Sequence, residues 1–377
     1  MKWCFVERDS PLGVRCRNAI ARGVPLTRIR KHGNRIRLKD IAERADVSLA
    51  TVSRTIHSPN TVSVEIRARV QESARVLGVE LHQQRRRKIL GYLFCNTDLL
   101  NPFQTRVLIG AEEYCSSHGY CLLILRLQYS VHSLWRDIPL PPLLQRSRDV
   151  GGFILAGMNF PNLLELLNSK RIPFAVLGDN VAGQWSAEKY DCVSNDLHQA
   201  SYDVTKHLIS LGHRHIWFIG NTHLPWFDSY LCGYERAMRE NSLPILLRRV
   251  ESVDQFEIGY LGTKGILREV CSVTALFPGP DQAARGAYRA LREIGLQVPQ
   301  DVSVVACNDT EGAFLDPPLT TVREFAKEVG STLASLVIDR IETPGSPPRQ
   351  VIVPTQLIRR ESSAPPREPS IAARNRT

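Results

Sequence analysis

No apolar run in the 377-residue chain approaches the roughly 20 residues that a membrane-crossing helix needs. The best runs, such as residues 121–125 and 153–156, are far too short, and no spanning helix is predicted. A secretory signal is not expected either, because Glu7, Asp9, Pro11 and Pro25 interrupt a basic N-terminal stretch that has no continuous apolar core. The nine cysteines (Cys4, Cys16, Cys95, Cys115, Cys121, Cys192, Cys232, Cys271 and Cys307) are odd in number and include no C-x-x-C pair. That spacing disfavours a disulfide framework or a zinc site and fits reduced thiols in a cytoplasmic protein, with no metal or other cofactor expected. G-x-G-x-x-G, G-x-x-x-x-G-K-[ST], G-x-S-x-G and H-E-x-x-H are all missing. His213 and His215 lack a third ligand nearby and read as capping or surface groups, so the chain is expected not to be an enzyme.

What is present is a lopsided charge. Residues 1–88 hold 20 Lys and Arg against 8 Asp and Glu, whereas residues 89–377 hold 28 against 30. The whole basic excess lies in the first quarter, which points to a polyanion partner for that end, a solvated basic tail being the plainer alternative. Residues 1–35 are Arg-rich without periodicity and read as a disordered basic leader; residues 363–377, rich in Pro, Arg and Ser, read as a disordered tail.

Between these ends the pattern changes twice. Leu38, Ile41, Ala42 and Ala45 share one helical face, and Val52 and Ile56 share the face of a second helix across a tight turn. Ser48 stands where an N-cap belongs. A third helix over residues 64–77 follows the cap Ser63, carries the stripe Ile66, Val70, Ala74 and Leu77, and stops at Gly78. From residue 89 onward, compact apolar runs at 89–94, 121–125, 152–155, 174–177, 191–193, 216–219, 275–277 and 302–306 alternate with helix-period stretches at 102–118, 161–170, 198–211, 230–240, 259–269 and 282–294. The expected fold class is α/β: an all-α helix-turn-helix headpiece, then two doubly wound parallel-sheet lobes, with a single (β/α)₈ barrel as the competitor.

A helix-turn-helix lays its second helix in the major groove. The candidate DNA-binding residues are therefore Ser48, Leu49, Ala50, Thr51, Ser53, Arg54 and His57. Arg54 can offer a guanidinium fork to guanine, and Leu49 and Ala50 can make apolar contact with a thymine methyl. Ser48, Thr51, Ser53 and His57 can reach phosphates or base edges. A purely structural three-helix bundle is the alternative.

The segment Leu38-Lys-Asp-Ile-Ala-Glu-Arg-Ala-Asp-Val-Ser-Leu-Ala-Thr-Val-Ser-Arg54 resembles the headpiece of the LacI/GalR family of bacterial transcriptional regulators. His207-Leu-Ile-Ser-Leu-Gly-His-Arg-His-Ile216, Val302-Ser-Val-Val305 and Asp316-Pro-Pro-Leu-Thr-Thr-Val322 are similar to further motifs of the family, in the same order. The resemblance implies a DNA-binding domain at 36–78, a linker at 79–88, and a two-lobe effector-binding and dimerisation domain of the periplasmic-binding-protein-like type I fold at 89–362. Its implied partners are double-stranded DNA with a pseudo-palindromic operator, a small-molecule effector such as a carbohydrate, and a second copy in a homodimer. The implied role is a repressor whose operator affinity responds to the effector. A transport-type binding protein and a nonspecific nucleoid-type DNA binder are the alternatives.

Three departures from the family pattern stand out. Asp46 replaces the usual Gly of the turn, a position that often needs a left-handed backbone. The linker is short and lacks the Tyr-x-Pro-Asn start, leaving Arg85, Arg86 and Arg87 as replacement phosphate or narrow-groove contacts, or as a solvated linker. Tyr230 stands where many members carry an effector-anchoring Arg. Candidate effector residues are Asn101, Phe103, Asp179, Asp196, Trp226, Tyr230, Asp281 and Asp309, with Phe227 a further aromatic. The chain is expected to cross between lobes near 193–196, 309–314 and 344–350.

Overall fold

A computed structural model describes residues 37–57, 61–79, 88–97, 101–138, 140, 150–270 and 273–367. The expected leader, residues 368–377 of the expected tail, and Arg85, Arg86 and Arg87 lie outside the described residues. The chain divides into two units, the first ending at residue 86 and the second beginning at residue 87.

The first unit contains α1 (Leu38–Ala45), α2 (Leu49–His57) and α3 (Val64–Val76). Their apolar faces meet in one small core of Ile41, Ala42, Ala45, Val52, Val70 and Ala74, which Val79 completes. Val79 thus belongs to the headpiece core and not to the linker that the sequence pattern begins there. Asp46 ends α1 in the left-handed region at φ 51° and ψ 53°, as the turn requires. Arg69 on α3 reaches back to donate to the carbonyls of Ala45 (2.6 Å) and Asp46 (3.1 Å), satisfying acceptors that the end of α1 leaves open. Ser63 caps α3 through the Ile66 amide, and Gly78 follows its end at φ 68°.

The second unit has two six-stranded sheets, which excludes the barrel. The first lobe contains β1 (Lys88–Cys95), α4 (Pro102–Ser117), β2 (Tyr120–Leu127), β3 (Val150–Gly157), α5 (Pro161–Ser169), β4 (Phe174–Leu177) and β5 (Asp191–Asn195). The second contains α6 (Leu197–Ser210), β6 (Ile216–Gly220), α7 (Pro225–Glu240), β7 (Leu246–Arg249), α8 (Gln255–Glu269), β8 (Ala275–Phe277), α9 (Asp281–Glu293), β9 (Ser303–Asn308) and β10 (Thr320–Arg323). The chain then returns to the first lobe through α10 (Ala326–Glu342) and β11 (Gln350–Val353) and ends in the second with β12 (Gln356–Ile358). The sheet orders are β11-β5-β4-β3-β1-β2 and β12-β10-β9-β8-β6-β7. Every pairing is parallel except that of β12 with β10.

Alternation along β1 shows why its sequence is apolar throughout. Leu90, Tyr92 and Phe94 pack with Val107 and Ala111 of α4 and Val329 and Leu333 of α10. Leu93 and Cys95 face the other way, onto Leu163, Leu164 and Leu167 of α5. Helices α4 and α10 approach so closely that a Cβ on Gly110 would meet the Lys327 carbonyl, and one on Gly330 the Val107 carbonyl. The second lobe has a single core in which the rings of Phe218 and Phe277 meet edge to face at 5.2 Å.

Two of the three expected crossings move. The first crossing, between β5 and α6, falls where the sequence places it. The second lies at residues 324–325 and not at 309–314, because β10 pairs with β9 and holds the chain in the second lobe through Arg323. The third lies at 354–355 and not at 344–350, because β11 pairs with β5 before the chain leaves. The tail assignment also changes. Residues 363–367 are fastened to the second lobe, with His213 Nε2 2.9 Å from the Ala364 carbonyl and Arg367 paired with Asp301 at 2.6 Å.

Candidate DNA-binding face and interlobe cleft

The turn at Asp46 presents the start of α2 to solvent. Ser48 accepts from the Thr51 amide at 3.1 Å and exchanges a 2.8 Å hydroxyl bond with Thr51, so both side chains are used in capping. That cap fixes the direction of α2, and no acidic residue stands in its first turn to repel a phosphate. Leu49 is half exposed, at 51%, and Ala50 is exposed beside it. The Arg54 Nε donates to the Ala50 carbonyl at 3.3 Å, one helical turn back, and the side chain is otherwise exposed. Among the described residues no carboxylate lies within ion-pair distance of Arg54. Ser53 is half-buried. The His57 side chain lies outside the described residues.

The two lobes of the second unit enclose a narrow cleft, with about 30 Å³ of free volume, at the carboxyl ends of their strands, where open parallel sheets bind ligands. Asn101, Phe103 and Gln104 come from the start of α4, and Asp179 and Asn180 from the turn after β4. Trp226 and Tyr230 come from α7, Gln255 from the start of α8, and Pro280 and Asn308 from the ends of β8 and β9. Leu197 and Glu324 come from the first two crossings. Among the described residues no Lys, Arg or His lines it.

Tyr230 donates to Glu324 Oε1 at 2.5 Å. Burial pushes the Glu324 carboxyl up to about 8, with repulsion from Asp179 and Asp281 adding to it and the Tyr230 bond opposing it. Burial likewise pushes Asp179 up to about 7, against the Asn195 amide that donates to it at 2.7 Å. Asn195 joins the two residues, since its Nδ2 donates to the Glu324 carbonyl at 2.7 Å. Asn101 caps α4 by accepting from the Gln104 amide at 2.8 Å. Gln104 Oε1 and Trp226 Nε1 are buried without a hydrogen-bond partner among the described residues.

Five of the eight sequence-based effector candidates therefore meet in the cleft: Asn101, Phe103, Asp179, Trp226 and Tyr230. The other three are not brought to its wall. Asp196 is an exposed N-cap of α6, accepting from the Gln199 amide at 3.0 Å. Asp281 is buried beneath the segment after β9, where it accepts from the amides of Glu311 (3.0 Å) and Gly312 (2.8 Å) and from Thr321 Oγ1 (2.7 Å). Asp309 is tied up by Arg323 and Arg360, at 2.8 and 2.7 Å. Phe227 is in the second-lobe core. Glu324, Gln104, Asn180 and Gln255 stand in no sequence motif that singles them out, whereas Asn308, beside Asp309 in a family-like pair at a strand end, does. The one local signal for Glu324 is a lone carboxylate directly after the buried strand β10.

Residues 37–78 match the family described as bacterial regulatory proteins, lacI family, and residues 205–363 match the periplasmic binding protein-like domain. The chain is 32% identical to the ribose operon repressor of Haemophilus influenzae, over 86% of its own length and 98% of that protein's. It is 30% identical to the HTH-type transcriptional repressor PurR of Edwardsiella ictaluri, over 87% and 96%. Among solved structures it is similar to a LacI family transcriptional regulator from Enterococcus faecium with bound ribose, at 26% identity and a TM-score of 0.63, covering 74% of this chain and 100% of that one.

Proposed function

The chain belongs to the LacI family of bacterial regulatory proteins, and from that premise we propose how its two units divide the work. It is a DNA-binding transcriptional repressor, with operator DNA, a small-molecule effector and a second copy of itself as partners. The exposed start of α2 reads the operator. Arg54 makes the direct base contact, Leu49 and Ala50 pack against base edges, and Thr51 and Ser53 approach phosphates. Two-fold symmetry of the homodimer makes the operator pseudo-palindromic. The effector enters the interlobe cleft, touching Asn101, Phe103, Asp179, Trp226 and Tyr230, and its occupancy alters operator affinity through closure of the lobes. The site of action is the cytoplasm, and the work is regulation and not catalysis.

The observation that carries this reading is the α2 start: capped by Ser48, aimed by the left-handed Asp46, free of acidic residues, and presenting Arg54 to solvent. Selection of genomic fragments on the full chain at two salt concentrations tests it. A small set of fragments sharing an inverted repeat is the expected outcome. Uniform recovery of all fragments, falling together as salt rises, would mean nonspecific phosphate binding instead.

A further inference from the structure

Asn195 gathers the three crossings. Its Nδ2 donates to the carbonyl of Glu324 on the second crossing (2.7 Å) and to that of Val353 just before the third (3.4 Å). Away from these crossings the lobes are joined by Arg106, on the second turn of α4 in the first lobe. Its guanidinium forks onto two successive carbonyls of the second lobe, Nη2 donating to Thr310 at 2.6 Å and Nη1 to Asp309 at 3.3 Å. A planar guanidinium can make such a paired contact, whereas an ammonium offers a single point of charge.

The segment that receives the fork is held firmly from its own side. Asn308 and Asp309 both lie in the left-handed region, at φ 87° and 48°, a conformation that Asn and Asp tolerate better than most residues. This bend ends β9 and leaves the carbonyls of Asp309 and Thr310 outside any strand or helix. Arg323 and Arg360 hold the Asp309 carboxylate, and the Asp281 carboxylate accepts from the amides of Glu311 and Gly312. Thr310 Oγ1 donates to Asn308 Oδ1 at 3.0 Å. On the other side, α4 is fixed by its close packing on α10. Two rigid parts thus meet at one fork, and a rotation about the crossings that carries them beyond hydrogen-bond length loses both bonds at once.

With the fork made, the cleft has about 30 Å³ of free volume, room for water but not for a sugar-sized molecule. Phe103 and Gln104 line it from the first turn of the helix that carries Arg106, and Asn308 lines it beside the two carbonyls. A molecule in the cleft therefore touches both supports of the fork.

We propose that Arg106 and the carbonyls of Asp309 and Thr310 form a latch between the lobes, which holds the cleft shut by the chain's own bonds and releases before an effector enters. This rests on the reading of the cleft as the effector site, with lobe closure as its signal.

Spin labels on Cys121 of the first lobe and Cys232 of the second, both exposed, measure the lobe separation in the full chain. Cys4, Cys16 and Cys271 are replaced by serine, and labelled chains are diluted with unlabelled ones. The latched chain is expected to show one main, short separation. Arg106→Gln, at an exposed position, removes both the charge and the fork. It should raise the ratio of longer to shorter separations by about ten-fold, the scale of one hydrogen bond to a charged group. Arg106→Lys should fall between, and an unchanged far-ultraviolet circular dichroism spectrum distinguishes opening from unfolding. An Arg106→Gln distribution that matches its parent, or a parent already spread to the longer separation, overturns the latch. Affinity for the selected operator without added ligand is the second arm. A change of about five-fold or more in Arg106→Gln ties the latch to DNA binding. Unchanged affinity in a chain that has opened leaves the latch standing and counts against lobe closure as the signal.

Discussion

Glu324 and Tyr230 are joined by a 2.5 Å hydrogen bond in the second unit, and their burial makes an acid-base prediction. The folded chain holds Glu324 at about 8, Asp179 at about 7 and Asp281 at about 6, all above the ordinary carboxyl range. A raised carboxyl contributes stability below its unfolded value and loses it as pH rises through its folded value. Wild-type stability should therefore fall between pH 7 and 8, above the range in which His207 and His213, held by burial below the ordinary histidine value, act in the opposite direction. Glu324→Gln keeps an acceptor for Tyr230 and removes the charge, so its advantage over wild type should grow by up to about 1.4 kcal/mol per pH unit across that window. Thermal melts at matched ionic strength check this; a difference that stays flat with pH contradicts it. Glu293, held down at about 2 by its bond to Arg289 and then by Tyr260 and Lys264, acts below this window and does not mask the effect.

At the same scale, Arg54→Ala should cost about 1–3 kcal/mol on the selected operator and relax preference at one base position, with little loss on random DNA. Equal loss on both, measured by anisotropy, would reduce Arg54 to a phosphate contact. Ser48 and Asp46 are legible in the sequence because an N-cap and a left-handed turn are decided within four residues. Glu324 is not legible, because its importance comes from Asn195 and Tyr230, 129 and 94 positions away, which the crossings bring to it. Asp281 and Asp309 misled for the converse reason. Each sits near a strand end, as a ligand residue would, but buried amides and a hydroxyl consume one and two arginines the other.

Among elements, the eight apolar runs expected to be strands are strands, because a parallel strand covered on both faces has no polar side to show. The strands β7, β10, β11 and β12 escape such reading. Leu246–Arg249, Gln350–Val353 and Gln356–Ile358 lie at or beside sheet edges and mix polar residues into three or four positions, while β10 buries threonines whose hydroxyls bond Asp281, Arg360 and Ser363. Helix α10 follows β10 without a turn signal and includes Gly330, Ser331 and Thr332, which dilute its apolar period. That glycine is the contact that lets α10 lie on α4. Gly330→Ala would gain about 1 kcal/mol in helix propensity. Its new methyl, however, meets the Val107 carbonyl and the Ala111 amide, which are backbone and cannot rotate aside. Overpacking of this kind costs about 1–3 kcal/mol or more, so a net loss is expected. Urea unfolding with an unchanged m-value should show it; a gain would mean that the helices slide apart at little cost.

For the molecule as a whole, the charge split divides at the same place as the fold. The basic excess precedes the two-lobe unit, which from residue 87 onward holds 30 Lys and Arg against 30 Asp and Glu. In the described part of the headpiece, basic and acidic residues are more nearly matched, and the proposed specificity rests on the geometry of α2, not on bulk charge. The central claim is that a small molecule in the cleft changes the affinity of the headpiece for a particular DNA sequence. Its most direct test is the dissociation constant of the full chain for the selected operator, and for random DNA, with and without a saturating concentration of the compound that raises the melting temperature most. The operator constant should change by about five-fold or more while the random-DNA constant stays the same. Identical operator constants in the two states would contradict it.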